Sequence, residues 1–200
     1  NHIKIAGGFA FKSADYVSNG IPIIRISDFG DERIILKSVK FYKESEQLKK
    51  YELKGGDIII ALTGGTIAKL GIVQKGIGKL YLNQRVGKFE ILDPAIFENE
   101  YVYWIARSVQ TIIKELAWGA AIPNVSPKQI EKIRFPIPDR QTQKGIILFL
   151  NDLKNNSIIK EKSYFHSETE AEILLMHENS LRSAGIVTEL SHQQSLLKKL

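Results

Sequence analysis

DIIIALTGGTIAKLGIVQKGIGKLYLNQRVGKFEIL, residues 57–92, decides the fold. Within it DIIIAL (57–62), LGIVQ (70–74) and KFEIL (88–92) are short apolar runs rich in Ile, separated by glycine-bearing turns. β-branched runs of this length, bounded by turn signals, read as strands. Working outward, IPIIRI (21–26) is a fourth such run on the N-terminal side. On the other side Asp93 and Pro94 give a helix-start signal, cap plus first-turn proline, with the helix beginning there or a few residues later. Val102, Ile105, Ala106, Val109, Ile112, Ile113 and Leu116 then recur at steps of three and one, one face of a single helix that Gly119 stops. This zone is an α+β domain with a substantial sheet.

The texture changes after Pro138. Residues 1–138 hold 13 of the 15 glycines and all six prolines, whereas residues 139–184 contain no proline and one glycine, Gly145. In the second zone Ile146, Leu150, Leu153, Tyr164, Ala171, Leu174 and Leu181 fall on three–four spacing, interrupted by Ser157, Lys160, Ser167 and Glu178. The expected element is one long helix over 139–184, about 60 Å at the α-helical rise. Such a helix needs a partner helix, and its broken stripe suits an imperfect coiled-coil seam; the alternative is two shorter helices packed on the domain. Gly185 ends it, and TELSHQQSLLKKL (188–200) restarts helical periodicity and runs off the end. The chain does not begin with Met, so a fragment of a longer protein is expected.

Composition bounds the function. The 200 residues are 44% hydrophobic, enough for a real core. Cysteine is absent, which excludes disulfides and thiolate metal sites and fits a cytoplasmic protein. No apolar run approaches the roughly 18 residues of a membrane span. The net charge is +6, with 21 Lys and Arg against 15 Asp and Glu in residues 1–140 and 7 against 7 afterwards. A basic excess confined to the first zone is compatible with a phosphate-facing surface, though many soluble domains are as basic.

Catalytic signatures are missing. His2, His166, His177 and His192 are scattered, and there is no HExxH, P-loop or GxSxG. Asp57 could serve a nuclease as an acid facing a lysine on a neighbouring strand, but its place in GGDIII suits a turn entering a strand.

Binding chemistry is better represented. From Ile58 to Phe89 there is no acidic residue, while Lys69, Lys75, Lys79, Arg85 and Lys88 are interleaved with glycines. Glycine lets backbone approach a phosphate, and the bases neutralise it. Thr63, Thr66, Asn83, Gln84 and Arg85 carry groups able to read base edges, since Arg fits guanine and Asn or Gln fits adenine. The same stretch also suits two glycine-rich hairpins with solvated lysines. In WGAAIPNVSPKQIEKIRFPIP (118–138), Ser126, Pro127 and Gln129 make a capping box, so Ser126 reads as a helix cap before a base contact. Asn124 and Lys128 are available to phosphate or base, or are simply exposed loop positions. Trp118 reads as core before base stacking.

Four blocks occur in an order that resembles the target-recognition domain of a Type I restriction–modification specificity subunit. They are GGFAFKSADYVSNGIPIIRISD (7–28), KGGDIIIALTGGTIAKLGIV (54–73), LNQRVGKF (82–89) and IPNVSPKQIEKIRFPIPDRQTQKGIILFLNDL (122–153). One departure stands out: the usual Glu-Gln after the proline pair is here Thr142-Gln143. The resemblance implies a non-catalytic subunit whose domain reads one half of a bipartite double-stranded DNA site. It implies a spacer helix pairing with a second specificity half, in cis or as a homodimer. Modification subunits would bring S-adenosylmethionine and restriction subunits would bring ATP-driven chemistry, with no cofactor or metal in this chain. The residues expected to touch DNA are Arg25, Thr63, Thr66, Lys69, Lys75, Asn83, Gln84, Arg85, Asn124 and Lys128. The expected fold is a globular α+β domain over 1–138, with a mixed, partly barrel-like sheet and packed helices. The pairing helix over 139–184 follows, and then a further helical segment over 185–200. The alternative function is an assembly module that docks partners through the helix without reading DNA.

Overall fold

A computed structural model describes residues 2–30, 32–117, 123–135 and 137–163. Trp118, Gly119, three of the four histidines, residues 164–184 of the expected helix, Gly185 and the segment 185–200 lie outside the described residues. The chain forms two compact units, one of Asn1–Asp93 with Ala106–Lys132, the other of Pro94–Ile105 with Ile133–Leu200.

Among the described residues the first unit holds eight strands: β1 (Ile3–Gly7), β2 (Ile21–Ile24), β3 (Lys40–Tyr42), β4 (Glu52–Leu53), β5 (Ile58–Ala61), β6 (Leu70–Ile72), β7 (Leu80–Leu82) and β8 (Val86–Ile91). They make two four-stranded sheets, ordered β1-β8-β5-β6 and β3-β2-β7-β4. The first is antiparallel throughout. In the second, β2 runs parallel to β7 while the outer pairs are antiparallel, so the mixed sheet is this one. The stretch 57–92 supplies strands to both sheets. After β6 the chain leaves the first sheet through a turn in which Gly76 and Gly78 take φ of +78° and +89°, a region open to glycine and costly for side chains.

Strand alternation explains why the second sheet reads as continuous apolar sequence. Ile24, Leu80 and Leu82 pack with Ile59, Ala61 and Val86 of the first sheet, so the two sheets share a core. The alternate residues Ile21, Ile23 and Tyr81 face the other way, against Phe11 and Leu48. That second cluster is ringed by Phe9, Tyr16, Tyr42 and Tyr51, with the Phe11 and Tyr81 rings stacked at 5.7 Å. β2 and β7 are therefore buried on both faces and carry no polar face to betray their period.

The single helix expected through 102–116 is two: α1 (Asn99–Ser108) and α2 (Gln110–Leu116). Val109 separates them in the bridge conformation, φ −90° and ψ 0°. The apolar spacing survives because Val109, Ile112 and Ile113 are still buried after the break. Asp93 and Pro94 precede the helix without starting it. α3 (Pro127–Ile130) opens with the expected capping box: Ser126 Oγ accepts the Gln129 N–H and the Gln129 side chain accepts the Ser126 N–H. Glu131, just past α3, accepts the Ile5 N–H at 2.8 Å and ties this turn to β1.

The second unit contains the first part of α1 and the helix α4 (Arg140–Ser163). Asp139 caps α4: Oδ1 accepts the N–H groups of Gln141 and Thr142 at 2.9 and 3.0 Å, and Oδ2 accepts the Thr142 hydroxyl at 2.8 Å. Thr142 thus bonds the cap directly where a glutamate would reach back to it. The bonds from the Thr142 backbone and hydroxyl hold the Asp139 carboxyl below its ordinary range. Gln143, Ile147 and Leu150 are buried at helical spacing. Gln143 accepts the Glu98 N–H and donates to the carbonyls of Ile96 and Pro138, each at 2.8 Å. Asn151 accepts from Trp104 Nε1 and donates to Glu100. Among the described residues no helix is long and apolar enough to cross a membrane.

Candidate nucleic-acid interface

The site is built on the turn between β7 and β8. Asn83, Gln84, Arg85 and Val86 form it, closed by the Val86 N–H on the Asn83 carbonyl at 2.9 Å. Each backbone N–H of the turn is engaged within the protein. The Asn83 N–H donates to Ile24 at 3.1 Å, the Gln84 N–H donates to Phe9 at 2.9 Å, and the Arg85 carbonyl accepts from Leu62 at 2.9 Å. The Arg85 N–H donates to Asn83 Oδ1 at 3.2 Å. Phe9 reaches this position because Gly8 lies flat against the Leu82 and Asn83 carbonyls, where a Cβ would overlap them. The side chains of Gln84 and Arg85 are exposed. Among the described residues they make no hydrogen bond or ion pair.

Two further segments lie beside this turn. Leu62 donates its N–H to Arg85 and its carbonyl accepts the Val125 N–H at 2.9 Å, so the backbone at 62 joins the turn to residues 123–125. Thr63 Oγ1 and the Gly64 N–H both donate to the Pro123 carbonyl, at 3.1 and 2.9 Å. Thr63 and Asn124 pair as an antiparallel bridge. Together the three segments line a cleft of about 420 Å³. Thr63, Gln84, Arg85 and Asn124 stand around it, with Leu62 and Val125 as its apolar part and Ser126 and Pro127 at the α3 end. Among the described residues no acidic side chain lines it.

The hairpin carrying Thr63 is held from behind. Ala68 sits at φ +62° at its return, and Gln110 Nε2 of α2 donates to its carbonyl at 2.8 Å. A non-glycine residue in this conformation is strained unless neighbours fix it.

The residues nominated from the sequence divide by their surroundings. Thr63, Gln84, Arg85 and Asn124 come together at the cleft. Asn83 is buried beneath it. Arg25 is engaged within the domain, its guanidinium on the buried Asp28 carboxylate at 3.4 Å and on the Ser38 carbonyl at 3.0 Å. Lys69 donates to the Phe29 carbonyl at 3.2 Å. Thr66 is half-buried, its hydroxyl oxygen enclosed and without a partner. Lys75 is exposed on the turn after β6, and Lys128 is exposed on α3 next to Pro127. The sequence left out Leu62, Val125 and Pro127 as cleft residues. The bonds from Leu62, Thr63 and Gly64 to residues 123–125 bring these segments together, and no local signal marks a pairing of Thr63 with Asn124 so far along the chain.

Asp57 does occupy the turn entering β5: Oδ2 accepts the Lys54 N–H at 2.8 Å and lies 3.7 Å from Lys88 Nζ. An acid just before β5 and a lysine on the neighbouring β8 thus face each other. Among the described residues no group of three His, Cys, Asp or Glu accompanies them.

The arrangement offers one guanidinium, two amides and the hydroxyls of Thr63 and Ser126, around a cleft without acidic side chains among the described residues. These groups match the edges of paired bases: a guanidinium grips guanine O6 and N7, and an amide grips adenine N6 and N7.

The model of the Type I restriction modification DNA specificity domain matches residues 3–164. The chain is similar to the Type I restriction enzyme MjaVIII specificity subunit of Methanocaldococcus jannaschii, 29% identical over 169 residues, 80% of this chain and 39% of that protein. It is also similar to the EcoAI specificity subunit of Escherichia coli, 25% identical over 151 residues, 73% of this chain and 26% of that protein. The chain therefore spans about two fifths or less of the length of these curated relatives. In fold it is similar to the HsdS subunit of Thermoanaerobacter tengcongensis, with a TM-score of 0.64 at 15% identity, covering 86% of this chain and 40% of that one. A Type I S subunit from M. genitalium matches with a TM-score of 0.53 at 15% identity, over 76% of this chain and 37% of that one.

Proposed function

The chain belongs to the Type I restriction modification DNA specificity domain family, and on that premise we propose that it reads one half of a bipartite double-stranded DNA site as a specificity subunit or half-subunit. The observation that carries this reading is the turn at 83–86. Its backbone N–H groups are engaged within the protein, while the side chains of Gln84 and Arg85 are exposed with no partner among the described residues. Arg85 addresses a guanine and Gln84 or Asn124 an adenine, with Thr63 beside them. Exposed Lys75 and Lys128 serve phosphates, which position the protein without reading sequence. Residues 1–138 act as the reader and the helix after Pro138 as a spacer that pairs with a second specificity half. Catalysis belongs to partners. Modification subunits supply S-adenosylmethionine and restriction subunits use ATP, in the cytoplasm with the DNA.

A pool of random duplexes tests the proposal. The chain with its modification subunit should enrich one motif, with binding that weakens as salt rises. Absence of any enriched motif would sink the DNA-reading function.

The second reading, an assembly module, draws on α4, where Leu148 and Phe149 are exposed apolar side chains. Replacing Gln84 and Arg85 by alanine separates the two. DNA reading requires loss of the motif with assembly intact; unchanged DNA binding favours assembly alone. Lys69 is unsuited to this test because it holds the Phe29 carbonyl.

A further inference from the structure

We propose that Asn83 is a positioning residue, which sets the aim of Arg85 and does not itself read a base; this rests on the DNA-reading function proposed above. Asn83 is 9% exposed, between a buried Leu82 and the exposed Gln84. Its side-chain oxygen accepts the Arg85 N–H at 3.2 Å. Its own N–H and carbonyl are engaged by Ile24 and Val86. The side-chain bond is the Asx type, in which the amide of Asn or carboxylate of Asp imitates one more peptide unit and fixes the residue two places on.

The Arg85 N–H is the one backbone donor of this turn whose partner is a side chain. The others donate to backbone carbonyls, which a change at the Asn83 side chain leaves in place. Removing the Asn83 oxygen therefore releases the peptide that carries Arg85 while the remaining turn bonds persist. Two parallel bonds from arginine to guanine demand correct orientation as well as reach. The loss should therefore appear in selectivity more than in folding. Asp in place of Asn keeps the acceptor, so it should keep the aim while adding a charge that phosphates repel.

The experiment uses the full chain and a pool of random-sequence duplexes, with wild type, Asn83→Ala, Asn83→Ser, Asn83→Asp, Arg85→Ala and the Asn83→Ala/Arg85→Ala double variant. Asn83→Ala should lower the ratio of motif to non-motif binding about tenfold, within the range of one paired arginine–guanine contact. Asn83→Asp should bind more weakly overall yet select the wild-type motif. The double variant should select no worse than Arg85→Ala alone, because Asn83 acts through that side chain. Amide hydrogen exchange without DNA should show the Arg85 N–H faster in Asn83→Ala and unchanged in Asn83→Asp.

Unchanged selectivity in Asn83→Ala, or losses that multiply in the double variant, would overturn the proposal while leaving DNA reading intact. A wild-type chain that enriches no motif removes the DNA-reading function, and the positioning role with it. If Asn83→Ala fails to fold, Asn83→Asp and Asn83→Ser decide. Selection retained in Asp and reduced in Ser supports positioning; equal loss in both overturns it.

Discussion

Arginine and glutamine stand together at the start of α4 and at the β7–β8 turn, and the protein treats the two pairs oppositely. At the start of α4, Arg140 is paired with Glu98 at 2.6 Å, and Gln143 is buried with its amide bonded three times. At the β7–β8 turn the backbone takes up the bonds, and Gln84 and Arg85 are left exposed without partners among the described residues. In the first case side-chain polarity holds a helix in place. In the second, backbone polarity holds a turn in place so that side chains remain available. A buried amide unsatisfied by protein costs free energy, whereas an exposed one is hydrated until a ligand replaces the water. The same residue types therefore serve architecture in one unit and form the proposed binding surface in the other.

The largest perturbation should come from Gly8→Ala. Its Cβ would overlap the Leu82 and Asn83 carbonyls that support the turn. Destabilisation by about 3 kcal/mol is expected in urea denaturation, in the upper range for overpacking. The contrast itself is tested next by Gln143→Leu. That change keeps the volume and strands the Glu98 N–H with two carbonyls. A loss of about 2 kcal/mol in stability is expected, with the DNA motif unchanged.

Arg85→Ala should do the reverse. Stability should stay within about 0.5 kcal/mol of wild type, while binding to the selected duplex falls by about 1.4 kcal/mol or more, a factor of ten. If Arg85→Ala unfolds the protein as readily as Gln143→Leu, the distinction between the two regions fails.

The smallest effect is on pH dependence. The Asp139 carboxyl is held below its ordinary range, chiefly by the Thr142 backbone and hydroxyl. Its stabilisation is therefore present above the unfolded-state value and is lost as pH falls through the lower folded value. Asp139→Asn should remove this component of acid sensitivity from the helical circular dichroism signal. Gln84 and Asn124 do not titrate, so the cleft adds no such component.

The sheet was legible where alternation or β-branched runs were strong: β2, β5, β6 and β8 follow from residues 21–26, 57–62, 70–74 and 88–92. β4 was not, because a two-residue strand has no period to read. The break at Val109 escaped notice because the apolar stripe continues through it. At the site, the sequence nominated every polar residue now found around the cleft, except Ser126, which it identified as the cap it is. It could not separate these residues from Arg25, Lys69 and Asn83, whose side chains are engaged internally.

By itself the sequence determined the α+β class, the capping of α3, an acid-free stretch from Ile58 to Phe89, and family blocks in a specific order. These depend on local propensity and composition, which a linear chain carries in full. The tertiary structure decided which polar groups are engaged and which are left exposed. That depends on partners far away in sequence, Phe9 for Gln84, Leu62 for Arg85 and Pro123 for Thr63, and only folding brings them within hydrogen-bonding reach.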